Sequence, residues 1–238
     1  MYHPTVARLT YRALLGRRRA LVLCALPGLL LVIAVAIRAL SGADDETTAA
    51  VLGGFALPTM VPLIGLIAGT GAIGPEIDDG SIVYLLAKPL KRPSIVVTKF
   101  VVATGVTLAF GAVPTLVAGL VLGGDGRLAV AFAAGAAASC VAYSALFLLL
   151  GVVSRHAVVL GLVYALVWES LVGSVVAGAR TLSVQQWGTA VAERIAGGEL
   201  VRADVGLPTA VVLLLVVTVV GTWYAGRRLR TLTLAGEE

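Results

Sequence analysis

The stretch GPEIDDGSIVYLLAKPLKRPSIVVTKF, residues Gly74–Phe100, places three acids, a turn and four bases inside a chain that is otherwise strongly apolar. A Gly-Pro break opens it. Glu76, Asp78 and Asp79 then fall in what would be a first helical turn, where carboxylates complement the positive end of the helix dipole. Ile82, Leu85 and Leu86 supply a short apolar face, and Pro89 and Pro93 stop the helix. The reading is a short helix, from about Glu76 to Lys88, apolar on one side and charged at both ends. Such an element is built to dock into a groove on another protein rather than to meet lipid alone.

On either side the composition changes to oil. Of the 238 residues 59% are hydrophobic and 13% charged, with a mean hydropathy of +1.00. An ordinary soluble domain is roughly 45–50% apolar, so the excess has to be covered by lipid. A helix crossing about 30 Å of hydrocarbon needs about 20 residues. Six segments meet that length, at about 20–40, 50–73, 94–122, 128–153, 157–179 and 207–225. The expected fold is therefore all-α, a single integral membrane domain over 1–238 with six transmembrane helices. The first apolar run is too long for a signal peptide and has no small-residue cleavage site before GADDE, so it is expected to remain as a span.

Lys and Arg orient the bundle, because juxtamembrane bases are retained on the cytoplasmic side. Arg38, Arg127, Arg180, Arg194 and Arg202 fall on one set of connections, and the rest of the 18 bases fall on the other. Both termini, and the short charged helix, are thus expected in the cytoplasm of a cell-membrane protein. Two amphipathic segments flank the spans. TVARLTYRALLGRRR sets Val6, Leu9, Ala13 and Leu14 against Arg8 and Arg12, and with Arg17 and Arg18 it reads as a helix lying in the interface near anionic headgroups, or else as a plain basic flank that sets topology. SVQQWGTAVAERIAGG, on the outer side, carries Trp187, Val191 and Ile195 at helical spacing. It reads as an outer interfacial helix or re-entrant pair, with a solvated loop as the alternative.

Other signals narrow the chemistry. GTGAIG at Gly69–Gly74 has the spacing of a dinucleotide fingerprint but closes a membrane span instead of joining a strand to a soluble helix. No G-x-x-x-x-G-K-[ST] occurs, so no phosphate loop is present and ATP is not bound in that way. His3 and His156 stand apart, without the spacing of a metal site, and Cys24 and Cys140 fall in apolar runs. The net charge of +5 comes without a basic, aromatic-laced stripe, so no nucleic acid partner is expected. Pro27, Pro58, Pro62 and Pro114 mark expected kinks. The pairs Gly65/Gly69, Gly119/Gly123 and Ser170/Ser174 have the spacing that lets helices approach closely. Glu169 is the one acid deep in a predicted span, where an unpaired charge costs at least about 2.5–3.5 kcal/mol. It reads either as a pathway or proton site or as a helix-packing hydrogen bond.

With these elements in place the chain resembles the six-span permease subunits of ABC-2 type transporters. Glu76, Gly80, Ser81, Leu85, Leu86, Pro89, Arg92 and Lys99 match the family pattern between the second and third spans, and Lys91 departs from it where Ser is frequent. The resemblance implies that the helix bearing Glu76, Asp78, Asp79, Gly80, Ser81, Leu85, Leu86, Pro89 and Arg92 is a coupling helix. It implies two separate ATPase subunits carrying ATP and Mg, a second permease copy or relative, no cofactor on this chain, and an exporter without enzymatic activity of its own. Two rivals stay open: an ion-coupled secondary transporter with Glu169 as its coupling site, and a non-transporting membrane scaffold subunit.

Overall fold

The computed structural model describes residues 4–42, 44–78, 92–123, 126–172, 179–198 and 200–231, and these are helical almost throughout, with no strand among them. An N-terminal helix α1 (Pro4–Leu14) is followed by α2 (Arg17–Ser41). Next come α3 (Asp45–Ile77), α4 (Ser94–Leu122) and α5 (Gly126–Val153). A shorter α6 covers 157–172, α7 is Val184–Ala196, and α8 is Leu207–Thr231. Among the described residues five helices, α2, α3, α4, α5 and α8, are long and apolar enough to cross a membrane.

The fifth expected span, 157–179, coincides with α6, which is shorter than the other five over the described residues; 173–178 lie outside them. The second span begins earlier than its hydropathy suggests. Asp44 accepts from the backbone N–H of Thr47 (3.1 Å) and from its hydroxyl (2.9 Å), an N-cap that starts the helix at Asp45. The Thr47 hydroxyl, and then its amide, hold the Asp44 carboxyl below its ordinary range. A depressed carboxylate pKa means that this cap is complete above the ordinary range and lost as pH falls through the lowered value.

The expected proline kinks take a specific form. Leu52–Met60, containing Pro58 and followed by Pro62, is π-helical, as is Leu108–Ala112, followed by Pro114. A proline withdraws one donor from the helical ladder, and a wide turn reassigns the carbonyls left over. A third π-helical stretch, Tyr164–Val172, has no proline. Pro27 sits inside α2 without such a change.

α5 is the hub, packing on α3, α4, α7 and α8, while α2 and α8 are the least buried of the long helices. Glycine makes the α3–α5 contact possible. A Cβ on Gly65 would lie 2.7 Å from Tyr143 Cβ, and one on Gly69 would lie 2.6 Å from Phe147 Cβ and 3.0 Å from the Leu148 backbone nitrogen. The GTGAIG run is therefore part of a helix-packing surface. Gly119 meets Ala129 in the same manner, whereas Gly123 is the left-handed residue ending α4. Of the third small pair, Ser174 lies outside the described residues and so does the side chain of Ser170.

The N-terminal helix corrects one expectation. Its buried face is Val6, Ala7, Thr10 and Leu14, while Leu9 and Ala13 are exposed together with Arg8 and Arg12. The stripe that fits against α4 carries the small residues Ala7 and Thr10 in place of Leu9 and Ala13. Gly69→Ala is expected to lower stability by about 1–3 kcal/mol, because a neighbouring backbone cannot yield. Gly105→Ala, with open space around its Cβ, is expected to be neutral or up to about 1 kcal/mol stabilising. Thermal unfolding midpoints in detergent would check the contrast.

Candidate functional site

Two polar clusters stand out, one at an end of the bundle and one near mid-depth in the apolar interior. The first centres on Lys99, five residues after the start of α4 and fully buried. A lysine ammonium has three donors and no acceptor. Here it donates to Glu76 Oε1 at 2.6 Å, to the Ala72 carbonyl at 2.6 Å and, more loosely, to Thr10 Oγ1 at 3.5 Å. Thr10 donates its own proton to the Val6 carbonyl within α1, which leaves its oxygen to accept. Ala72 closes the main run of α3, and Glu76 lies in the further helical turn Gly74–Asp78. One side chain thus joins α1, the end of α3, the start of the charged stretch, and α4.

Arg19, from the first turn of α2, donates to the Gly71 carbonyl at 3.3 Å. The end of α3 is consequently held by two cations, where the dipole is negative and the last carbonyls lack helical partners. Gly71 admits this approach, since a Cβ there would sit 3.0 Å from Leu14 Cδ2 and 3.3 Å from Arg19 Nη1.

The second cluster centres on Glu169, which is 4% exposed. Its carboxylate accepts from Tyr143 Oη (2.9 Å), Ser183 Oγ, the Val184 N–H (3.2 Å) and the Gln185 N–H (3.4 Å). Tyr164 hydrogen-bonds it as well. A π-helical turn brings residues five apart onto one face, and this sets Tyr164 beside Glu169. Ser183 is also the N-cap of α7, accepting from Gln186 N at 3.3 Å. The carboxylate therefore sits on a helix N-terminus, where free N–H groups and the dipole favour an anion.

The depth of that site follows from α5. Ser139 donates to the Val184 carbonyl at 3.4 Å, and at 1.5 Å per residue it lies about 20 Å from either end of α5. At the other end of α7, Arg127 Nε donates to the Ile195 carbonyl at 2.7 Å, beside the first turn of α5. α7 thus runs antiparallel to α5 along half its length and starts near its middle. Gly188 lies against Ser139 and Gly135 so closely that a Cβ would collide with both. The segment 180–206 accordingly holds a packed helix, and Trp187, which donates to the Thr181 carbonyl, is buried in it.

Of the residues singled out in the sequence, Glu76 and Lys99 are brought together and Glu169 is in a different cluster. Arg8 and Arg12 are exposed on α1. Arg17, Arg18, Asp78 and Arg92 lie in helices, but their side chains are outside the described residues, and Asp79, Gly80, Ser81, Leu85, Leu86 and Pro89 lie outside altogether. Thr10, Tyr143 and Ser183 were not foreseen. Only Ser183 carried a readable signal, a Ser three residues before Gln186 at a helix start.

Removing one partner of a buried ion pair strands the other. Glu76→Ala strands a fully buried ammonium and is expected to cost about 3 kcal/mol. Lys99→Met leaves a carboxylate that is 27% exposed and can be hydrated, so it is expected to cost less. The double variant should fall closer to wild type than Glu76→Ala alone, read as a double-mutant cycle from unfolding midpoints. Glu169→Ala leaves at least two donors unsatisfied at about 1–3 kcal/mol each. It is expected to destabilise more than Tyr143→Phe in the same assay.

No curated protein is matched by the chain. A family model described as ABC-2 family transporter protein matches residues 17–224, a range that takes in Glu76, Lys99 and Glu169, four of the five long helices whole and most of α8. The chain is thus an integral membrane permease and belongs to the ABC-2 family of transporter proteins.

Proposed function

We propose that the chain is the membrane half of an ATP-driven exporter, with six spans, both termini in the cytoplasm of a cell-membrane protein, and two ATPase partners that bind ATP and Mg. A second copy, or a relative, completes the pathway. The observation that carries this reading is the Lys99 cluster. Movement of an ATPase against the stretch after Asp78 would be passed through Glu76 to Lys99, and from there to α1, α3 and α4 together. A ligand shifts an equilibrium only by differential contact with its states. A docking surface after Asp78, joined through Glu76 to the buried ammonium of Lys99, would give ATP binding such a contact. The five oxygen-directed donors around Glu169 come from the chain itself, which counts against its holding a coupling ion and favours its role in helix packing.

Asp78→Lys/Asp79→Lys tests the docking surface without touching the Lys99 pair. The expected result is loss of ATPase co-purification and of transport at unchanged membrane expression and unfolding midpoint. Retained association would overturn the assignment. Orientation is checked in a Cys24→Ser background, where Cys140 is buried. A cysteine at Gly198 should react with an impermeant maleimide on intact cells, and one at Thr5 only after permeabilisation.

A further inference from the structure

A cavity of about 310 Å³ opens at the end of the bundle that carries α1 and the Lys99 cluster. Its walls come from four places: Arg19 of α2, the end of α3 with Gly74 and Pro75, the turn Ser154–His156, and the first residues of α6. Arg19, Arg155 and His156 line it, and among the described residues no acidic one does. One Nη of Arg19 is committed to the Gly71 carbonyl, but a guanidinium has five N–H donors, so most remain for a ligand. Leu66, Ile67, Val158 and Val159 supply an apolar part of the lining.

The level of this cavity is that of the membrane interface. Ser154 directly follows α5, and α6 starts at Ala157. On α8, beyond the point where Gly221 meets Ala145, Trp223 lies under the Arg227 guanidinium at 4.9 Å, a pairing suited to the headgroup zone. The volume is at the small end of the roughly 300–1,000 Å³ typical of ligand sites. It accommodates a headgroup and not a pair of acyl chains.

We infer that the cavity is a binding site for the phosphodiester headgroup of an anionic phospholipid, with Arg19, Arg155 and His156 holding the phosphate and the chains leaving along Leu66, Ile67, Val158 and Val159. Arginine suits the task because its planar fork pairs two phosphate oxygens at once. The apolar part of the lining distinguishes this ligand from a soluble phosphate, which would gain nothing from it. A lipid lodged between the Arg19–Gly71 contact and the turn before α6 would sit against the same end of α3 that Lys99 holds. The site does not depend on the proposed orientation, which determines only the leaflet.

The test uses the purified full chain in neutral detergent, titrated with phosphatidylglycerol or phosphatidylcholine and read by native mass spectrometry and thermal stabilisation. The expected result is saturable binding of phosphatidylglycerol about tenfold tighter than phosphatidylcholine, consistent with charge-assisted hydrogen bonds. Arg155→Gln should abolish the preference, and Arg155→Lys should restore part of it. Arg8→Gln, exposed on α1 at the same end, should retain it in full. Equal binding of the two lipids by the wild type, or an undiminished preference in Arg155→Gln, overturns the proposal. So does equal loss in Arg8→Gln, which would mean a diffuse basic surface. Inorganic phosphate that reproduces and competes for the stabilisation reassigns the site to a free anion and overturns the lipid.

Discussion

A fully buried ammonium is tolerable only when its donors are met, and the arrangement around Lys99 follows from that demand. Its partners are a carboxylate and a carbonyl from the last turns of α3 and a hydroxyl from α1, so neither segment can move far from α4 without leaving charge or donors unsatisfied. The N-terminal helix is consequently part of the packed protein through Thr10 and Leu14 and is not simply laid on lipid. The Gly71 and Ala72 carbonyls near the end of α3 find cations, and the charged stretch begins from a fixed position.

The same rule recurs at other helix ends. Arg19 reaches the Gly71 carbonyl, Arg38 the Leu122 carbonyl at 3.3 Å, and Arg127 the Ile195 carbonyl. Carbonyls at a helix C-terminus have no intrahelical donor, and in or near hydrocarbon water does not supply one freely. Long basic side chains solve this from a neighbouring helix. The Glu169 carboxylate is the complementary solution, satisfying the N–H groups at the start of α7. This bears on charge-based topology: Arg38 and Arg127, with Arg180 paired to Asp204 at 2.8 Å, lie on the side with fewer bases and are engaged by the protein. Counting bases alone weighs them like free juxtamembrane charges.

Hydropathy made the long helices legible because lipid burial depends on composition over about 20 residues, which a single sequence displays in full. Their ends were less legible. Asp44 shifts the start of α3 by capping it. Contacts were hardest to foresee. Glu76 and Lys99 belong to one motif in the sequence and pair directly, but the same ammonium also reaches Thr10, 89 residues away along the chain. The partners of Glu169 likewise come from α5, α6 and α7, and nothing in periodicity encodes such a meeting. For α1 the pattern was ambiguous in itself, since Leu9 and Ala13 lie on a stripe as apolar as the one that packs.

The π-helical stretches in α3, α4 and α6 carry a mechanical consequence. Each accommodates one residue more than an α-helical path between the same points. Relaxing such a stretch to α geometry turns everything beyond it by about 100°, one residue of a 3.6-residue turn. The three stretches lie in helices that touch α5 or its neighbours. Rotation of a half-helix about its own axis is therefore a motion built into these segments, distinct from tilting of whole helices, and it exchanges which side chains face a passage without any helix having to leave its place.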